Sequence, residues 1–175
     1  MSKQTRDSVV YERDSDDGLT PHVLAVGQSV VDTKIRYGEF YYNTAVGAAE
    51  TFCMQIRNKS VLDVILLWDE NFFGSSVGFQ YRSHATDLAT LYGTAFSGST
   101  LAQDTEIELR RELLAALPGT FITHRFNNAN VLLPRTWGAF GGGLTIPAGG
   151  GLVLCTPVGT IAASNFQWKF QLKKG

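Results

Sequence analysis

The chain has 175 residues, 44% of them hydrophobic, and sets 15 Lys and Arg against 16 Asp and Glu for a formal net charge of −1. That length suits one domain burying about 70% of its unfolded surface, which needs neither metal nor disulfide to fold. So even a charge balance supplies no field for a phosphate backbone or an anionic lipid surface, which argues against nucleic acid and membrane as partners.

No run of eighteen apolar residues occurs, and the opening "MSKQTRDSVVYERDSDDG" lacks the basic-then-apolar layout of a secretory signal. A protein made and kept in a cytosol is expected. Cys53 and Cys155 stand far apart with no ligand-spaced His or Cys beside them, so both are read as reduced strand residues. The sequon at Asn58 carries no weight in that compartment.

Residues 1–23 form a polar segment with Asp7, Glu12, Asp14, Asp16 and Asp17, and only Val9, Val10 and Tyr11 as an apolar cluster. Little there can be buried to offset the entropy of ordering, so a flexible arm is predicted, with those three residues its contact with a partner. Residues 24–175 are then a single globular domain.

Within it, short apolar runs alternate with turn signals. "EFYYNTAVG" is aromatic and closes on Gly47. In "TFCMQIRN", Phe52, Met54 and Ile56 fall on one face of a strand and Thr51, Gln55 and Arg57 on the other. "VLDVILLW" is apolar on both faces apart from Asp63, as a covered central strand is, and "VGFQYRSH" alternates through Phe79 and Tyr81.

"DTEIELRRELLAALPG" breaks the pattern. Helix formers dominate it, Asp104 or Thr105 can cap a first turn, Leu109, Leu113 and Leu117 recur at spacing four, and Pro118-Gly119 ends it. A short crossover helix over residues 104–117 is predicted. "TFITHRFNN", "NVLLPRTW", two runs joined by the "GGGLTIPAGGG" turn, and "NFQWKFQLKK" complete the strands; the last places Phe166, Trp168, Phe170 and Leu172 on one face and Gln167, Lys169, Gln171 and Lys173 on the other. The whole is read as all-β: an antiparallel sandwich, jelly-roll-like, of about eight to ten strands with one helix.

Motifs for chemistry are sparse. "GGGLTIPAGGG" has no Lys-Ser/Thr ending and no helix after it to hold a phosphate, so it reads as a turn. His22, His84 and His124 lack partners at metal spacing, and no metal or cofactor is expected. No G-x-S-x-G elbow occurs, and "FSGST" has no oxyanion context. Asp69 and Glu70 follow an apolar strand beside Trp68, Phe72 and Phe73, where paired carboxylates would suit a glycosidase. Adjacent strand residues point opposite ways, however, so these two do not make the acid and nucleophile pair, and no enzyme is expected. Tyr37, Tyr41, Tyr42, Trp137 and Phe140 include ring faces on which a sugar can stack; the plainer account is that such aromatics fill a sandwich core.

The order of runs in "LTIPAGGGLVLCTPVGTIAASNFQWKFQL", with Ile146-Pro147-Ala148-Gly149 as a turn and Trp168 in the closing strand, resembles small β-sandwich virion proteins of tailed bacteriophages. "ETFCMQIRNKSVLDVILLW" echoes the strand, Asn-containing turn and apolar strand near the start of such domains. The helix and the acidic arm depart from that pattern. The resemblance implies a structural, non-enzymatic subunit, commonly a trimer, assembled in the host cytoplasm into a virion. A head decoration or cement protein docking on the major capsid protein or other virion subunits is the first reading. The alternative is a tail-fibre or spike module that binds host polysaccharide through Tyr41, Tyr42 and Trp137.

Overall fold

The computed structural model describes residues 3–6, 9–14, 18–23, 34–42, 49–73, 77–98, 100–127, 133–137, 143–157 and 166–175. The chain forms two units, Met1–Thr33 and Lys34–Gly175. The first carries β1 (Lys3–Arg6), β2 (Val9–Asp14) and β3 (Gly18–Val23), an antiparallel meander with β2 in the middle. The segment read as an arm thus has strands of its own, and the division falls at Thr33 where composition placed it after residue 23. Val9, Val10 and Tyr11 lie on β2, and their side chains are outside the described set.

The second unit is all-β and antiparallel. Its strands are β4 (Ile35–Tyr42), β5 (Thr51–Asn58), β6 (Val64–Phe73), β7 (Val77–Ser83), β8 (Thr90–Ser97), β9 (Gln103–Leu114), β10 (Thr120–Asn127), β11 (Leu133–Thr136), β12 (Leu144–Ile146), β13 (Gly151–Cys155) and β14 (Phe166–Lys174). They share one hydrogen-bonded sheet, in the order β10-β7-β13-β5-β9-β8-β4-β14-β6-β11, with β12 also on β6. Where two hydrogen-bonded layers were expected, the path is single and continuous. The sheet curls so that its inner face encloses the core, and Arg125 of β10, at one end of the path, reaches Asp69 of β6, next to the other end.

The inner face follows from the alternation in the sequence. Phe40 and Tyr42, Phe52, Met54 and Ile56, Phe79 and Tyr81, Leu152 and Leu154, and the closing row Phe166, Trp168, Phe170 and Leu172 are all buried there. Aromatic pairs run through it: Phe40 stacks on Trp168 at 5.6 Å between centroids, and Tyr81 meets Trp168 edge-on at 6.1 Å. Close packing reaches the backbone at Gly38, where a Cβ would stand 2.0 Å from the Phe170 ring.

The helix expected over 104–117 is instead the twelve-residue strand β9, paired to β5 and β8. Its sequence carries two periods at once. Ile107, Leu109, Arg111 and Leu113 alternate with Glu106, Glu108, Arg110 and Glu112, and Ile107 and Leu109 are buried. Helix propensity differs among these residues by a few tenths of a kcal/mol each, too little to outweigh two ladders of main-chain hydrogen bonds and a buried row.

Candidate functional site

The centre of the core is polar. In β6, strict alternation from Val64 and Leu66 would turn Trp68 and Glu70 inward. A β-bulge intervenes: Gln171 faces Trp68 while Leu172 faces Leu66, leaving Leu67 as the extra residue. The Leu67 carbonyl accepts from the Trp137 amide at 2.9 Å. After the bulge, Asp69 and Asn71 face inward and are fully buried.

Asp69 is a carboxylate surrounded by donors. One oxygen accepts from Trp137 Nε1 at 2.8 Å and Arg125 Nη1 at 3.4 Å. The other accepts from Asn71 Nδ2 at 3.0 Å, Trp168 Nε1 at 3.2 Å and the Tyr81 hydroxyl. Burial first, then the charge of Asp69, raises Tyr81 well above the ordinary phenol value, so it stays a donor. These residues come from β6, β7, β10, β14 and the end of β11, so the carboxylate ties together strands from both ends of the sheet. Glu70, its sequence neighbour, faces the other way, so the pair weighed as a glycosidase acid and nucleophile is split across the sheet. Trp137, weighed as a glycan platform, is 7% exposed with its indole committed to Asp69, so its ring offers no face to a ligand.

A second cluster lies at one end of the curled sheet, where β4 finishes, β5 and β8 begin and β9 finishes. A pocket of about 330 Å³ is lined there by Tyr42, Phe52, Thr90, Arg111, Glu112 and Leu113. The Arg111 guanidinium carbon sits 5.5 Å from the Tyr42 ring centre and 5.4 Å from that of Tyr92. Among the described residues Arg111 has ring faces for partners and no carboxylate. Phe52 backs Tyr42, with ring centres 3.8 Å apart. Tyr92 occupies another bulge, between Leu91 and Gly93, and its hydroxyl accepts from the amide of the exposed Tyr41. A half-buried arginine with planar donors, set between tyrosine rings at an opening, is suited to pairing with a carboxylate.

Of the candidate aromatics, Tyr42 lines this opening, Tyr41 points to the opposite face of β4 and meets Tyr92 through its main-chain amide, Tyr37 packs on Phe96 at 5.9 Å and Phe140 lies outside the described residues. Arg111 lies in the segment whose composition predicts a helix, and its β alternation beside Leu109 is the signal that places it on the inner face; Tyr92 reaches the site through a bulge that local sequence does not mark. The "TIPAGGG" turn is held by side chains: Asn58 donates to the Ile146 and Pro147 carbonyls at 3.1 Å each, Arg57 to Gly150 at 2.6 Å, and the Asp63 carboxylate takes the Ala148 amide at 3.0 Å. A carboxylate of the chain itself thus occupies an amide that a phosphate would need. Comparison with family models, with curated proteins and with solved structures returns no match.

Proposed function

We propose that this chain is a structural, non-enzymatic virion subunit, a decoration or cement protein that docks on a bacteriophage head as a homo-oligomer, most simply a trimer. The observation that carries the reading is the enclosure of Asp69. Among the described residues, the carboxylate with the richest set of partners is fully buried and bonded on both oxygens by its own chain, so it organises the core. The resemblance to small virion β-sandwiches supplies the assembly context, and a jelly-roll-like topology belongs to the same reading. On it, the N-terminal unit engages the major capsid protein through Val9, Val10 and Tyr11. Purified particles should carry the chain at many copies, and deletion of residues 1–20 should abolish particle binding while the remaining unit stays folded. Absence from particles, or binding unchanged by the deletion, would rule the reading out.

A second reading, a module that binds host surface polysaccharide, is favoured by the Arg111 pocket, with Tyr42 and Tyr92 beside the guanidinium. Uronate-bearing oligosaccharides are the matching class, since the planar donors of the guanidinium pair with a carboxylate. Calorimetric titration with an oligogalacturonate against its methyl-esterified counterpart separates this reading from the first: heat from the acid form alone supports it, and none from either dismisses it.

A further inference from the structure

The outer face of β5 and β13 carries a buried patch that neither reading uses. Cys53 and Cys155 are direct partners across the two antiparallel strands. The Asn58 amide donates to the Gly150 carbonyl at 2.9 Å, and the Thr156 amide to the Phe52 carbonyl at 3.0 Å. Hydrogen-bonded pairs therefore fall at Phe52, Met54, Ile56 and Asn58, and the Cys53–Cys155 pair occupies the non-hydrogen-bonded position between them. Cα atoms at such positions stand about 4.5 Å apart with side chains turned toward each other, inside the roughly 4.4–6.8 Å that a disulfide spans. The two sulfurs are already 2.8 Å apart.

We infer that Cys53 and Cys155 are a modification site, oxidised to a cross-strand disulfide by a small-molecule disulfide. The thiolate of one cysteine attacks a sulfur of the oxidant, forming a mixed disulfide and releasing one small thiolate. The thiolate of the other then attacks the protein sulfur of that mixed disulfide and releases the second. The two thiol protons end on the two released small thiols; the protein loses two hydrogens and the oxidant is reduced. The resulting bond joins residues 102 positions apart.

A strap controls access. Residues 84–89 cross this face, and Leu88 packs with Val153 on the two cysteines. The Gln55 side-chain amide donates to the His84 and Thr86 carbonyls at 2.9 Å each and accepts from the Leu88 amide at 3.0 Å. Arg110 holds the Leu88 carbonyl at 2.7 Å. The hydrogen bond with Cys155, and then burial, raise the Cys53 thiol, so little thiolate forms while the strap is closed. Oxidation is therefore slow in the folded chain and fast during folding.

The test uses the full chain, reduced, in two arms: folded protein incubated with oxidised glutathione, and denatured protein refolded in the same couple. Samples are quenched in acid, denatured, labelled with maleimide and weighed intact. A species two hydrogens lighter that takes no label is expected, minor in the first arm and dominant in the second, with a higher thermal midpoint than the reduced form. Cys53→Ser should abolish it, and Gln55→Ala should raise its rate in the folded arm severalfold. Full double labelling in both arms, or glutathione adducts that never resolve, overturns the inference.

Discussion

Among the described residues, Asp69 and Arg111 both sit among aromatic rings, and they are treated in opposite ways. Asp69 has donors from two indoles, a phenol, an amide and a guanidinium, and no exposure to water. Arg111 has the faces of Tyr42 and Tyr92 and an opening in front of it. A buried charge whose hydrogen-bonding capacity is filled by its own chain has been committed to folding. A charge whose planar donors face an opening keeps them for something else. The contrast separates a charge enclosed by its own chain from one left facing an opening, in a molecule where both use the same residue types.

The sharpest way to break the contrast is to remove the buried anion. Asp69→Ala leaves Arg125, two indoles and Tyr81 without an acceptor, and should cost about 3–5 kcal/mol in urea unfolding; a loss under about 1 kcal/mol would mean that the centre is not closed. Tyr81→Phe removes one donor and keeps the ring, so a smaller loss, about 1–2 kcal/mol, should appear in the same assay.

Two partly buried carboxylates, Asp87 and Asp104, lie between the extremes. The hydrogen bond from Lys59, then Arg57 and Arg110 against some burial, holds Asp87 below the ordinary carboxyl value of 3.8. Burial pushes Asp104 up, but Arg36, the Glu106 amide and Lys174 outweigh it and hold that group below 3.8 as well. A carboxyl lowered in the folded state stabilises it above the unfolded value, and that contribution disappears as pH falls through the folded value. Thermal midpoints should thus hold down to about pH 4 on account of these two groups and decline below it; Asp87→Asn should flatten part of the decline.

The smallest effect on stability is expected at the open site. Arg111→Gln should shift unfolding by less than about 1 kcal/mol, the scale of an exposed cation–π contact, while removing any calorimetric heat with oligogalacturonate. A large stability loss there would make Arg111 a second Asp69 and erase the distinction.

Much of this fold is legible in the chain. The alternation of "FQWKFQLKK" becomes a strand whose inward residues are no more than 1% exposed, because side chains of a strand alternate whatever surrounds them. The same rule, applied to "VILLWDEN", gives the wrong inner set, since one extra residue at Leu67 reverses the faces beyond it. That bulge is set by the neighbouring β14 and by the Trp137 amide, both distant in sequence. In β5 the inward row was readable, yet Thr51, Cys53 and Gln55 on the other face are also buried, the last two under a strap that leaves no trace in local periodicity. For β9, local propensity and tertiary pairing pointed to different structures, and pairing on both sides prevailed.

Residue order by itself determined the all-β class, the inward aromatic rows and the presence of a Pro-Gly turn, expected at Ile146–Gly149 and closed one residue later by the Gly150 amide on the Pro147 carbonyl, because each depends on side-chain period and backbone chemistry over a few neighbours. Tertiary structure alone decided which carboxylate is enclosed, which arginine faces an opening and which cysteines meet. Each of those depends on register between strands far apart in the chain, and a shift of one residue would send the same side chains to the opposite face.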